Sequence, residues 1–308
     1  MIVIGKEYRF TSLEIKDLES RFGSIDCIDD KDKTIKDIIQ EVQGYLGEKQ
    51  QCIIILNLPK VLFDAVSSAL EKLELENLRV MSIALFLNIY LQKCYIDEYK
   101  TLNHIVETIG HFSTMQYIIK RLIDFVGVAF IAFFSMPVML YSIYRITKES
   151  PEGGVIYSQE RVGLDGKEFT CYKFRSMPIG AESGTPQFAS KDDTRTFPWG
   201  DTMRKTRFDE LPQLWNVIKG EMHLIGPRPE RKYWVDKFQK SIPYYAKRHS
   251  VRPGITGWAQ IKYPYGANEE DAKHKLAYDL FYIKRWSLRY EFMVVWETIF
   301  VVLGKRGH

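Results

Sequence analysis

Cysteine is scarce, a glycine-rich nucleotide-binding turn is missing, and only one long apolar run occurs; each shortage narrows what the chain can be. Four cysteines in 308 residues (Cys27, Cys52, Cys94 and Cys171) stand far apart, with no CxxC pair and no Cys/His grouping at zinc spacing. Neither a disulfide framework nor a structural metal is expected from them, and reduced thiols suit a cytoplasmic setting. The first residues lack a basic stretch followed by a short apolar run and a small-residue cleavage site, so no signal peptide is expected. No self-similarity at a period of roughly 20–50 residues is visible, which argues against a solenoid.

What is present suits a folded chain of about two domains. Hydrophobic residues make up 45% and aromatics 14%, too much for a dominantly disordered chain and enough for a sizeable core. The net charge of +4 hides an asymmetry, because the first 110 residues are net acidic and the rest carries the basic excess. The second part therefore wants an anionic partner. Nucleic acid, an anionic membrane face and a phosphorylated substrate all meet that description, and charge alone does not choose among them.

Residues 1–110 alternate strand and helix patterns. Short apolar runs at 1–4, 24–28, 52–58 (CIIILNL at its clearest) and 79–85 read as strands, and amphipathic stretches at 13–22, 33–46 and 61–73 read as helices. A continuous β-branched run such as 52–58 suits a parallel strand buried on both faces. The expectation is a small Rossmann-like α/β domain. A nucleotide site would need a glycine-rich turn after the first strand so that backbone can approach a pyrophosphate. Only Gly5 stands there, so an accessory role is expected instead.

Residues 122–144 (LIDFVGVAFIAFFSMPVMLYSIY) are long enough to cross a bilayer. Asp124 near the entrance, Ser135 and Pro137 in the middle, and basic residues at both ends (Lys120, Arg121, Arg145, Lys148) favour instead a helix that enters one leaflet and turns back. Proline removes a backbone donor, and the Ser135 hydroxyl could satisfy the freed carbonyl. A buried core helix and a straight span are the alternatives. Residues 290–303 form a second apolar helix, fitted either to the interface or to packing on the body of the protein.

The chemistry-bearing stretch runs from about 153 to 286. At its centre Asp209 and Glu210 sit just before Leu211, Pro212 and an apolar helical pattern. A structural account of the pair is available: Asp209 as a cap, Glu210 as a first-turn acid facing the helix dipole. Their surroundings point further. Arg204 and Arg207 precede them, Arg228 lies in a Gly-Pro-Arg-Pro-Glu turn, and Arg252 lies in a second Arg-Pro-Gly turn. Arginines on stiff backbone suit bidentate phosphate recognition, and paired carboxylates among them suit a divalent metal, attack on phosphorus, or both.

Four stretches in order, KRLIDFVG with its downstream Ser/Pro break, GGVIYSQERVGLDGKEFTCYKFRSM, RKTRFDELPQLWNVIKGEMHLIGPRPE and VRPGITGWAQ, carry a resemblance. Residues 117–307 resemble the bacterial sugar transferases, monotopic polyprenyl-phosphate phosphoglycosyl transferases that begin glycan assembly. The resemblance implies transfer of a sugar-1-phosphate from a UDP-sugar to undecaprenyl phosphate on the cytoplasmic face of the bacterial inner membrane, with Mg2+ as cofactor and release of UMP. It implies Asp209 as the nucleophile of a covalent phosphosugar intermediate, and Glu210 beside it as metal ligand or proton acceptor. Arg204, Arg228 and Arg252 would bind phosphates, with Lys173 and Arg175 as further candidates, and Ser135 with Pro137 would kink a membrane-anchoring helix. The domain plan is then an accessory domain over 1–110, a linker over 111–120, a re-entrant membrane helix over 121–148 and a mostly α catalytic domain with interfacial helices over 149–308.

Two departures from the family pattern stand out. Met136 separates Ser135 from Pro137, where small members commonly place serine directly before the proline. The first 110 residues also lack the bundle of apolar helices found in longer relatives. An inactive membrane-bound scaffold is the alternative reading, whereas nucleic acid is not an expected partner because no binding module is present. His223, His249 and His274 are read as surface or hydrogen-bonding residues, and a homo-oligomer is left open.

Overall fold

The computed structural model describes residues 1–46, 52–72, 78–97, 104–181, 195–263, 266 and 268–302. They belong to two compact units, Met1–Asn103 and His104–His308.

The first unit alternates β1 (Ile2–Ile4), α1 (Ser12–Phe22), β2 (Asp26–Ile28), α2 (Ile35–Leu46), β3 (Cys52–Leu56), α3 (Lys60–Glu71), β4 (Leu78–Ser82) and α4 (Ile83–Phe86), the last running into a π-helical turn at Leu87–Leu91. The strands pair in parallel in the order β2-β1-β3-β4. Alternation along the strands divides the core between two faces. Ile2, Ile4, Ile54 and Leu56 pack with Ile38 and Val66 from α2 and α3, while Val3 and Ile55 pack with Leu18 and Phe86 from α1 and α4. A parallel sheet covered on both sides is why the strands read as unbroken apolar runs. The strand expected over 79–85 ends at Ser82, whose side chain accepts from the Leu85 N–H and starts α4.

The β1/β3 boundary is where ligands of such sheets ordinarily bind, beyond the carboxyl ends of the strands. Here the crevice is filled. Asn57 donates to the Gly5 and Tyr8 carbonyls and accepts from the Tyr8 N–H. Gly5 has a left-handed φ of +91°, and a Cβ on it would lie 2.3 Å from the Asn57 carbonyl oxygen.

The second unit is mostly helical. After α5 (His104–Glu107) comes α6 (Thr114–Glu149), then the antiparallel hairpin β5 (Ile156–Val162) and β6 (Glu168–Phe174), α7 (Pro198–Thr206), a 3-10 turn at Phe208–Glu210, α8 (Gln213–Lys219) and β7 (His223–Ile225). The chain continues through α9 (Lys232–Ser241), a 3-10 turn at Tyr245–Ser250, β8 (Gly254–Thr256) parallel to β7, α10 (Trp258–Lys262), α11 (Glu269–Lys284) and α12 (Leu288–Val302). Two glycines let β7 and β8 close up: a Cβ on Gly254 would lie 2.0 Å from the Gly226 nitrogen.

Helix α6 starts at a Ser113/Gln116 capping box, well before the expected position 121, and absorbs most of the segment expected as a linker. Its 36 residues run unbroken through Pro137 for about 54 Å at 1.5 Å per residue. Ser135 takes no part in satisfying the backbone there, because its hydroxyl oxygen has no hydrogen-bond partner. Only 11% of the most apolar stretch is buried, which excludes the buried-core-helix alternative. Among the described residues it is the one helix long and apolar enough to cross a membrane.

One side of α6 is nevertheless tied to the unit along its length. Lys120, expected to face headgroups, is buried and donates to the Ile225 carbonyl, the Tyr282 hydroxyl and Glu291 of α12. Asp124 accepts from the Leu224 N–H and is hydrogen-bonded to His223 Nδ1 at 2.6 Å. Arg121 donates to the Val217 and Ile218 carbonyls at the end of α8. Farther along, Val128 packs with Leu214, Val217 and Met222, Ile146 packs with Phe174 and Met203, and Ser142 accepts from Trp199 Nε1. The opposite side, with Phe125, Val126, Phe130, Phe133 and Phe134, is exposed. On α12, Phe292 and Trp296 are likewise exposed, although Glu291 and Val294 are buried.

Candidate active site

The short 3-10 turn between α7 and α8 carries Asp209 and Glu210. It forms because Arg207 ends α7 in a left-handed conformation, with φ of 62°. The bend lets Glu210 N–H donate back to the Arg207 carbonyl and sends both acidic side chains inward, where they are buried. Neither supplies a side-chain cap to α8, whose cap position is Pro212, so the capping account of the pair does not hold.

The two carboxylates have opposite surroundings. Glu210 Oε1 accepts from Lys173 Nζ at 3.0 Å and Arg228 Nη2 at 2.9 Å, with Arg207 Nη1 at 3.7 Å. Burial alone would raise its pKa, but the cations of Arg228, Lys173 and Arg207 outweigh it and hold the carboxyl well below the usual range. Asp209 goes the other way. Burial pushes its carboxyl up, and the neighbouring Glu210 charge adds to this against the pull of Lys173. Asp209 Oδ1 is buried and has no hydrogen-bond partner. Such an orphaned acceptor is costly and rare in folded proteins. The arrangement favours the anionic form of Glu210 and makes Asp209 the more basic carboxyl group, with a vacant lone pair on Oδ1.

The strand that supplies Lys173 is held in register by α8. Asn216 accepts from the Tyr172 N–H at 3.1 Å and donates to the Thr170 carbonyl at 2.7 Å, fixing β6 beside the dyad. Asparagine is a poor helix former, and one set between Leu214, Trp215, Val217 and Ile218 in an apolar helical pattern was the signal for it. Arg207 had the simpler signal of lying two residues from Asp209.

Of the expected phosphate-binding residues, Lys173 and Arg228 come together on Glu210. Arg204 lies in the last turn of α7, and it is Arg207 that reaches the carboxylate. Arg175 is directed elsewhere: its guanidinium donates to the Ser150, Gly153 and Gly154 carbonyls and the Ser150 hydroxyl, so it clasps the loop after α6. Arg252 donates to the Gly220 carbonyl at 2.6 Å and lies over the Tyr117 ring. That is the far end of α8 from the dyad, on the order of 10 Å along a seven-residue helix. The three histidines are buried rather than superficial. His223 pairs with Asp124, His274 stacks on Tyr263, and burial beside Arg248 lowers the His249 pKa to about 3.

Among the described residues no group of three or more His, Cys, Asp or Glu side chains converges on one point. The dyad still suits a hard dication. Mg2+ commonly binds through one or two carboxylates and completes its shell with water and phosphate oxygens, and the vacant Asp209 Oδ1 is a donor of that kind.

Comparison with known proteins extends the resemblance. Residues 115–305 match the family described as bacterial sugar transferase. The UDP-N-acetylgalactosamine-undecaprenyl-phosphate N-acetylgalactosaminephosphotransferase of Aeromonas hydrophila is 44% identical over 195 residues, 63% of this chain and 46% of the relative. The UDP-glucose:undecaprenyl-phosphate glucose-1-phosphate transferase of Xanthomonas campestris pv. campestris is 31% identical over 313 aligned residues, 97% of this chain and 61% of the relative. The UDP-galactose-lipid carrier transferase of Erwinia amylovora is 35% identical over 204 residues, 61% of this chain and 41% of the relative. The chain thus spans about half the length of the curated relatives it matches.

Proposed function

The chain belongs to the bacterial sugar transferase family, and from its site we propose that it transfers a sugar-1-phosphate from a UDP-sugar to undecaprenyl phosphate. The observation that carries this reading is the split dyad: a buried carboxylate with a vacant oxygen beside one neutralised by three cations. In the first step an Asp209 oxygen attacks the phosphorus that bears the sugar. The bond from that phosphorus to the bridging oxygen breaks, and UMP leaves with the electron pair. An oxygen of undecaprenyl phosphate then attacks the same phosphorus, displaces the aspartate and forms the lipid diphosphate sugar.

A carboxylate in water is a poor nucleophile. Desolvation makes Asp209 more basic, and Arg228, Arg207 and Lys173 offer positive charge to the phosphate oxygens and the departing UMP. Asp209 and Glu210 would hold Mg2+, which when bound neutralises part of the diphosphate charge.

The membrane reading draws support from α6. Its buried side touches the unit from Lys120 to Ile146, so a straight crossing would drag the polar hairpin into hydrocarbon. A helix anchored in one leaflet from the cytoplasmic face, with its phenylalanine side in lipid, avoids that cost. It also brings the dyad near headgroup depth, where a lipid phosphate meets a soluble nucleotide. The filled crevice of the first unit supports an accessory, Rossmann-like role for that unit.

The test offers purified protein in nanodiscs a panel of UDP-sugars with Mg2+ and undecaprenyl phosphate, and measures UMP. Release with a particular sugar, dependent on the lipid and lost in Asp209→Asn, is expected. Without lipid, about one UMP per enzyme and a mass increase of one sugar phosphate are expected, as a two-step route requires. Silence from folded, membrane-bound protein across the panel would overturn the reading.

A further inference from the structure

Two arginines, the buried Arg248 and the partly buried Arg161, stand behind the turn that carries Arg228, and neither hydrogen-bonds to the dyad. Residues 227–230 (Pro-Arg-Pro-Glu) cannot satisfy themselves as helix or sheet would, because Pro227 and Pro229 have no N–H. Their four successive carbonyls are all taken from outside the turn. The Pro227 carbonyl accepts from Gly254 N–H at 2.9 Å and the Glu230 carbonyl from Val162 N–H at 2.9 Å. Between them, the Arg228 carbonyl accepts from Arg248 Nη2 at 3.0 Å and the Pro229 carbonyl from Arg161 Nη1 at 3.2 Å.

Both guanidinium groups are themselves immobilised. Arg248 forms a buried pair with Asp279 at 2.8 Å and donates to the Tyr245 hydroxyl. Arg161 donates to Gln159 Oε1 at 2.6 Å, Gln159 donates to the Tyr157 hydroxyl, and Tyr157 sits opposite Lys173 in the β5/β6 register. One hydrogen-bonded strip thus links the register partner of Lys173 to the Pro229 carbonyl, one residue after Arg228. Neutral amides would satisfy two carbonyls equally well. Guanidinium groups do more, because each is also matched by a carboxylate, Arg248 by Asp279, Arg161 by Glu230 at 3.7 Å and Arg228 by Glu210, so the turn is fastened by charge-assisted pairs as well as through its carbonyls.

We infer that Arg161 and Arg248 are positioning residues, which hold two successive peptides, Arg248 the one between Arg228 and Pro229 and Arg161 the one between Pro229 and Glu230, so that the Arg228 guanidinium meets Glu210 and an incoming phosphate without rearrangement. The inference rests on the proposed transfer reaction for its consequence in turnover, but the clamp itself is a physical property of the turn. Preorganised charge loses much of its catalytic value when displaced by as little as 1 Å.

Arg161→Lys and Arg248→Lys test it. Each keeps its charge, and the second keeps a partner for Asp279, but a single ammonium cannot reproduce the two-sided reach of a guanidinium. Amide hydrogen exchange at Arg228, Glu230 and Arg231 is expected to quicken about tenfold or more in either variant, while exchange in α11 stays as in the parent. In UMP release, each variant is expected to lower kcat by about tenfold to a hundredfold when Arg228 is present. In an Arg228→Ala background the same substitution is expected to cost less than about twofold, because residues acting through one group are not additive. Unchanged exchange in the turn, or an undiminished loss in the Arg228→Ala background, would overturn the inference. Should Arg248→Lys fail to fold, the more accessible Arg161 carries the test alone. If the parent releases no UMP with any sugar, the reaction reading fails while the exchange result still decides the clamp.

Discussion

The two units each bury an acidic centre, and they treat it in opposite ways. In the first, Glu14 accepts from Lys93 Nζ at 2.5 Å, from the Tyr8 hydroxyl and from the Thr11 N–H that opens α1. Its charge is matched and its oxygens are occupied, as a buried polar group in a structural role requires. In the second, Glu210 is matched as fully, yet Asp209 beside it keeps a buried oxygen with no partner. The same side-chain chemistry is a fastening in one place and a reactive group in the other. The difference lies in whether the fold completes the hydrogen bonds or withholds one.

Breaking each centre should therefore give opposite outcomes. Asp209→Asn is expected to lower UMP release on the order of 10³-fold or more while leaving the thermal midpoint unchanged or higher, because it removes a desolvated charge that lacks a hydrogen bond. A midpoint drop matching the activity loss would erase the distinction. Lys93→Met is expected to do the reverse: it strands Glu14 in the core and costs the fold about 3–5 kcal/mol, read as a shift in the urea midpoint. A cost below about 1 kcal/mol would mean the pair is not the fastening described.

The pH dependence sharpens the comparison within the dyad. Burial raises the Asp209 pKa, so the protonated, unreactive form persists to higher pH than for an ordinary aspartate. kcat/KM should fall about tenfold per pH unit on an acid limb placed above the usual carboxylate value of about 4. Glu210, held low, should contribute no limb in that range. A limb at or below about 4 would contradict the desolvated environment. The smallest effect is expected from Tyr8→Phe, which removes one donor from Glu14 but leaves Lys93 and the Thr11 N–H. It should cost about 1.5 kcal/mol in the same urea titration.

Much of this was legible in the residue order. The parallel α/β unit followed from short β-branched runs alternating with amphipathic stretches, because side-chain periodicity reports directly on which faces are covered. The long apolar helix and the dyad were visible for similarly local reasons. Where the fold directs a side chain away from its expected setting, one cause applies. Arg175, Arg204 and Arg252 looked equivalent to Arg228 and Arg207 because the local sequence around an arginine carries no record of which carbonyl or carboxylate it will meet. Lys120 resembled a headgroup anchor for the same reason, yet its nitrogen lies among Ile225, Tyr282 and Glu291, up to 171 positions away.

The residue order thus carries the set of elements and the chemical inventory: periodicities, the proline-stiffened Arg228 turn, the adjacent acids and the apolar helix, all properties of a few consecutive residues. The partition of charge among them is set by the folded arrangement. Solvation and pairing depend on groups that approach through space, so the difference between a fastened Glu210 and a vacant Asp209 exists only once β6, α7, α8 and the Arg228 turn have closed around them.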